Sequence, residues 1–226
     1  MIFRCSSLPK LMTNPRKKSE SLSETAESLS ETAKSLSDTA KSLSETAKSY
    51  IKQLAKENFY GYTSKVETKQ MRKGTEYEME SIALVNSVWF GSNFVKNQLR
   101  ENQGYLSGHP DIITDDSIID IKTSWSLETF PALPEDADSY EWQVRGYMHL
   151  FNKPRAFVIF CMIDTDNELL SDWDNRDIHK VSHIDPTKRI TVVQYERDEM
   201  KEELMLSRLR DASEYYSQYM QQLNNK

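Results

Sequence analysis

The chain has 226 residues, 28% of them charged, with a net charge of −6, two cysteines and an isoelectric point near 5.4. Two cysteines exclude a disulfide framework and a four-cysteine iron–sulfur cluster. The acidic balance excludes a surface coated for nucleic acid, so contact with such a partner would need local basic clusters, and no run approaches the ~20 apolar residues of a membrane span.

At the start of the chain, Met1-Ile2-Phe3 is too short for the apolar region of a secretory signal, and Pro9 and Pro15 interrupt the residues after it. With Cys5 and Cys161 as the only thiols, the chain reads as cytoplasmic. Residues 21–48 hold four near-identical heptads, with Leu22, Leu29, Leu36 and Leu43 at one seam position and Ala26, Ala33, Ala40 and Ala47 at the other. Tyr50 and Leu54 continue that register. The pattern is a coiled-coil seam, but its Ser and Thr flanks are poor helix formers and alanine buries little area. A weak helix, an oligomerisation tail and a disordered appendage all stay open. Residues 1–57 are therefore expected to be a low-complexity extension dispensable for chemistry, and residues 58–226 a single domain with its own core.

Lys65, Lys69, Arg72 and Lys73, with Lys96 and Arg100, are the candidates for such a local basic cluster. From Lys73 onward, Ile82, Val85 and Trp89 have helical spacing, which predicts an amphipathic helix. Its start carries Glu76, Glu78 and Glu80, where the helix dipole favours negative charge.

Residues 108–124, Gly-His-Pro-Asp-Ile-Ile-Thr-Asp-Asp-Ser-Ile-Ile-Asp-Ile-Lys-Thr-Ser, read as a β-hairpin turning through Thr114–Ser117. Residues i and i+2 of a strand share a face, so Asp120 and Lys122 point one way and Ile119 and Ile121 the other. The turn returns Asp111 toward Asp120. Ile118, Ile119 and Ile121 surround Asp120, which predicts a strand buried on both faces. A buried charge costs several kcal/mol unless paired or metal-bound. Two carboxylates without a nearby His or Cys suit a hard cation, Mg²⁺ or Mn²⁺, and a lysine beside it can polarise a water. That combination suits phosphodiester hydrolysis.

Residues 125–138, with Pro131 and Pro134, read as a loop. The segment Tyr140–Phe151 predicts a second helix, with Gln143 and Tyr147 four apart on one face. An apolar strand comes next over 156–163, then an acidic stretch over 164–177, a strand over 189–196 and an amphipathic helix over 198–223. The apolar positions of that last helix are read as Leu204, Leu206, Leu209, Ala212 and Tyr216. His179 and His183 are four apart but lack further ligands nearby, which argues against zinc. Together these elements give an α/β domain, a small mixed β-sheet flanked by helices, with a helical or disordered N-terminal extension.

The order Glu78, then Asp111, then Asp120-Ile121-Lys122, then Gln143-x-x-x-Tyr147 resembles the PD-(D/E)XK nuclease superfamily, in its lambda-exonuclease and RecB-like branch. The resemblance spans residues 70–222 and implies a restriction-endonuclease-like core. It implies that Asp111 and Asp120 are metal ligands, joined by the carbonyl of Ile121, and that Glu78 completes the site directly or through water. Glu76 and Glu80 remain alternatives to Glu78. Lys122 would orient the attacking water and stabilise developing charge, Gln143 and Tyr147 would fix Lys122 or a phosphate, and His109 could support the same cleft. The implied activity is a Mg²⁺- or Mn²⁺-dependent deoxyribonuclease acting on DNA, an exonuclease in recombination or DNA-end processing, of phage type and working in the host cytoplasm if phage-encoded. A selective endonuclease, an inactive nucleic-acid-binding domain, a homo-oligomer and a single-strand-annealing or helicase partner stay open.

Overall fold

The computed structural model describes residues 1–15, 43–89 and 91–226. In chain order the first elements are β1 (Phe3–Arg4), α1 (Leu8–Leu11), α2 (Glu45–Tyr60), α3 (Lys69–Glu76) and α4 (Glu78–Val88). Then come β2 (Glu101–Gln103), β3 (Leu106–Gly108), β4 (Ile112–Ile113), β5 (Ser117–Thr123), α5 (Glu141–Phe151), β6 (Arg155–Cys161), β7 (Ile190–Glu196) and α6 (Glu199–Asn224). The chain forms two compact units. No described helix is long and apolar enough to cross a membrane.

The first unit comprises Met1–Ser64, Asn102–Gly108 and Asp198–Lys226. Helix α2 starts where the Ser44 hydroxyl accepts the Ala47 N–H, at 3.1 Å, and stops at Gly61, whose φ of +67° few other residues adopt. Its buried face is Ala47, Ile51 and Ala55, a spacing of four that continues from Leu43. This departs from the heptad register, which places Tyr50 and Leu54 on the seam; both are only half-buried. The face lies against α1 and α6, and α6 answers with Met205, Leu209, Ala212 and Tyr216. Leu204, expected in that stripe, is exposed instead. The earlier heptad residues, Leu22, Leu29 and Leu36 with Ala26, Ala33 and Ala40, lie outside the described residues. The expected limit at 57/58 falls within α2, and Phe3, Leu8 and Leu11 are at most 1% exposed. The described part of the N-terminal segment is thus packed rather than appended. A small sheet in the order β1-β3-β2, with β1 parallel to β3, was not signalled by the sequence because its strands have only two or three residues.

The second unit, Lys65–Glu101 and His109–Arg197, is built on a four-stranded sheet in the order β4-β5-β6-β7. Strand β4 is antiparallel to β5, β5 parallel to β6, and β6 antiparallel to β7. Alternation along β5 divides the work between faces. Ile119 and Ile121 join Ile112, Ile159 and Cys161 in a core closed by Ile82, Leu84 and Val85 of α4. Helix α5 lies against β5 and β6, and its Gln143 reaches Asp120, on the opposite face from that core. The mixed α/β architecture expected from the sequence is therefore present. Where a single helix was expected from Lys73, the chain breaks at Tyr77 (φ −106°, ψ 15°) into α3 and α4. Tyr77 is itself buried, and burial, with its hydrogen bond to Asp166 second, pushes its hydroxyl up to about 12.

Candidate active site

The hairpin turns at Thr114–Ser117, with the Thr114 N–H donating to the Ser117 carbonyl at 2.9 Å. Its pairing, Ile112 with Ile119 and Ile113 with Ile118, carries Asp111 to the position beside Ile121. There Asp111 Oδ2 accepts the Ile121 N–H at 2.6 Å. Asn97 holds the same stretch from the other side, its N–H donating to the Asp111 carbonyl at 2.7 Å and its side-chain amide to the Pro110 carbonyl at 2.9 Å.

Asp120 is 2% exposed. Its Oδ1 accepts from Gln143 Nε2 at 3.0 Å, and its Oδ2 lies 2.7 Å from Lys122 Nζ. That ion pair is close but poorly directed, so Oδ2 has no well-aligned hydrogen-bond donor. Gln143 Nε2 also donates to the Tyr147 hydroxyl at 3.1 Å. Gln143 and Tyr147 thus meet each other, and the Gln143 amide reaches Asp120 and not Lys122. The Lys122 ammonium stands over the Tyr140 ring, 4.4 Å from its centroid, an attraction between cation and ring face. Burial works against that ammonium, and the Asp120 and Asp111 carboxylates more than offset it, so Lys122 holds its proton above the ordinary lysine range. For Asp111 the balance is reversed. Burial, then the neighbouring charge of Asp120, push its carboxyl up to about 7.

Of the three candidate glutamates, Glu78 is half-buried and the other two are exposed. The Glu78 charge acts on Asp111 and Lys96 Nζ donates to its Oε2 at 2.6 Å. Glu76 is tied to Arg72 at 3.0 Å on the exposed side of α3, and Glu80 is exposed. Lys96 thus belongs to the Glu78 pair. Lys65, Lys69, Arg72 and Arg100 are exposed or half-exposed. Lys73, grouped with them in the sequence, is 1% exposed. Its ammonium donates to the carbonyls of Ser124, Trp125 and Ile163 at 2.8, 3.0 and 2.8 Å. It is a buried pin and not part of a surface cluster. Asn97, Tyr140 and Lys73 were not identified as site residues from sequence. Only the position of Tyr140 three residues before Gln143, one helical turn away, could have suggested one of them.

His109 is half-buried. Trp125 packs edge-on against His179, centroids 5.1 Å apart. His179 Nδ1 lies 3.1 Å from both the Trp125 carbonyl and the Thr165 hydroxyl, while His183 is exposed, so the two do not form a metal pair.

Among the described residues, no three His, Cys, Asp or Glu side chains group closely enough to hold a metal ion by themselves. What the site offers is a pair of crowded carboxylates, Asp120 buried and Asp111 half-buried, the first with an oxygen that accepts no well-aligned hydrogen bond, beside the backbone of Ile121. All of these donors are oxygen, and a hard divalent cation relieves such crowding by neutralising it. The donor set fits Mg²⁺ or Mn²⁺.

Asp111 and Asp120-x-Lys122 on the hairpin, met by Gln143 and Tyr147 from the next helix, are the residues whose order resembles the lambda-exonuclease branch of the PD-(D/E)XK nucleases. Solved structures carry the same fold. A phage-related exonuclease from Haemophilus somnus 129PT is 28% identical, with a TM-score of 0.83 over 99% of this chain and 96% of that one. An alkaline exonuclease from Laribacter hongkongensis is 12% identical, with a TM-score of 0.65 over 99% of this chain and 92% of that one. The same enzyme in complex with dAMP gives 15% identity and 0.58 over 85% and 90%. No family model matches the sequence, and neither does any curated protein.

Proposed function

We propose that the chain is a metal-dependent deoxyribonuclease that hydrolyses DNA phosphodiester bonds, and that it works as an exonuclease in recombination or DNA-end processing. The observation that carries this reading is the crowded Asp111–Asp120 pair with Lys122 at 2.7 Å from Asp120. The full-length likeness to a phage-related exonuclease supports it. Asp111 and Asp120, with the Ile121 carbonyl, would hold the cation, and Glu78 would reach it directly or through water. A bound divalent cation supplies a polarised phosphate and a more acidic water. Lys122, kept charged by its carboxylate neighbours, orients the attacking water and stabilises the charge that develops on the phosphate. Gln143 orients Asp120 and is itself braced by Tyr147, as groups behind a metal ligand do.

The test is cleavage of linear and covalently closed circular duplex DNA in Mg²⁺, Mn²⁺ and EDTA, with 5′ and 3′ labels. Cation-dependent loss of linear DNA only is expected. Nicked circles would make the enzyme an endonuclease, and two intact substrates would make it a binding module.

A further inference from the structure

Lys73 is a buried cation that the proposed hydrolysis does not use. It sits in the last turn of α3, and its carbonyl accepts the N–H of Tyr77, the residue before Glu78, at 3.0 Å. Its side chain leaves the helix and ends on three backbone carbonyls. An ammonium has three donors, so all are used. Two of the carbonyls, Ser124 and Trp125, lie just past β5, directly after Lys122 and Thr123; the third, Ile163, lies just past β6. Burying an ammonium is costly, and burial pulls Lys73 down to about 8 despite the opposing charge of Asp164. A pure packing role would be met at less cost by a methionine of similar length. What the charge adds is direction: one rigid point joins the segment carrying Glu78 to the exits of the two central strands.

We propose that Lys73 is a positioning residue, which fixes where Glu78 stands relative to Asp120 and Lys122. The proposal rests on the nuclease reading, because it assigns Glu78 to that site. A second tie supports the placement. The Ser81 and Thr123 hydroxyls meet at 2.8 Å, so the α3–α4 segment is tied to β5 or its exit on both sides of Glu78.

The experiment is a double-mutant cycle on the full chain, using Lys73→Met, Glu78→Gln and both together, with Lys73→Arg as a second probe. Arginine keeps the charge, but its planar fork cannot reproduce three converging bonds. Rates are measured on linear duplex in saturating Mg²⁺, per folded molecule, and DNA affinity is measured in Ca²⁺. A displacement of ~1 Å at a reacting group costs on the order of 10²-fold in rate. Lys73→Met and Lys73→Arg are therefore expected to lower kcat by at least about tenfold, with DNA affinity within about twofold. In the Glu78→Gln background, Lys73→Met is expected to add less than about threefold, because the two act as one unit. Fully additive effects, or wild-type kcat in either folded variant, would overturn the proposal. So would failure of both variants to fold, since the pin would then be holding the domain and not the site. A wild-type protein that cleaves nothing would instead overturn the nuclease reading.

Discussion

Strand β5 meets a lysine at its carboxylate-lined stretch and another just past its end, and the two environments act on them in opposite directions. Lys122 is surrounded by carboxylates, which raise its proton affinity. Lys73 is surrounded by neutral carbonyls, and burial lowers its proton affinity to about 8. The same side chain is a charge held ready in one place and a structural point in the other. Partner chemistry decides the role, since both are largely buried.

The largest effect is expected at the carboxylate stretch. Asp120→Asn should reduce cleavage by about 10³-fold or more, the upper end of what one electrostatic contact supplies. The metal-free protein should become more stable, because the carboxylate crowding that raises Asp111 is relieved. Cleavage assays and melting in EDTA check both outcomes, and wild-type turnover in saturating Mg²⁺ would remove Asp120 from the mechanism.

Lys122→Ala comes next, with an expected rate loss of about 10²-fold. DNA binding in Ca²⁺ should change far less. A parallel fall in binding and rate would reduce Lys122 to a phosphate contact.

Gln143→Ala should lower the rate by about tenfold, as for groups that orient a metal ligand. Helical spacing alone gives no reason to expect a loss of stability. The structure argues otherwise, because Gln143 is the donor to buried Asp120 Oδ1. Leaving that oxygen unpaired costs ~1–3 kcal/mol, which chemical denaturation will read.

The smallest effect isolates the Lys73 end. Its folded value is about 8, below the ordinary 10.5. Between these values the unfolded chain binds more protons, so this group's contribution to stability rises with pH there. Cys161 and Tyr77, both pushed up to about 12, oppose the trend as pH passes 9 and 10. The clean window is therefore about pH 8–9, where wild type should gain stability relative to Lys73→Met. A constant difference between the two across that window would place the Lys73 proton elsewhere.

The hairpin was legible because its information is local. Alternation at Ile118–Lys122 fixes both the strand and the face of each side chain, and the turn at Thr114–Ser117 fixes where Asp111 returns. Gln143 and Tyr147 were legible as a pair from helical spacing, but their partner was not, since nothing local says which oxygen an amide will meet. Lys73 was misread as a surface cation for the same reason: its carbonyl partners lie 51, 52 and 90 residues away. The N-terminal segment was legible only in part. Its heptads left a weak helix, an oligomerisation tail and a disordered appendage open, and where the last heptad is described the face of α2 is spaced by four and packs on α1 and α6 of its own unit.

The two thiols carry a practical consequence. Cys5 is 1% exposed in the first unit and Cys161 is fully buried in the second, and neither is in a disulfide. A thiol reagent can reach each only when its surroundings open, so the protein holds one intrinsic reporter per unit. Equal labelling rates at Cys5 and Cys161, read by mass spectrometry in rising urea, would mean that the halves open in one cooperative step. Faster labelling at Cys5 would show the helical unit loosening while the sheet that carries Asp120 stays closed.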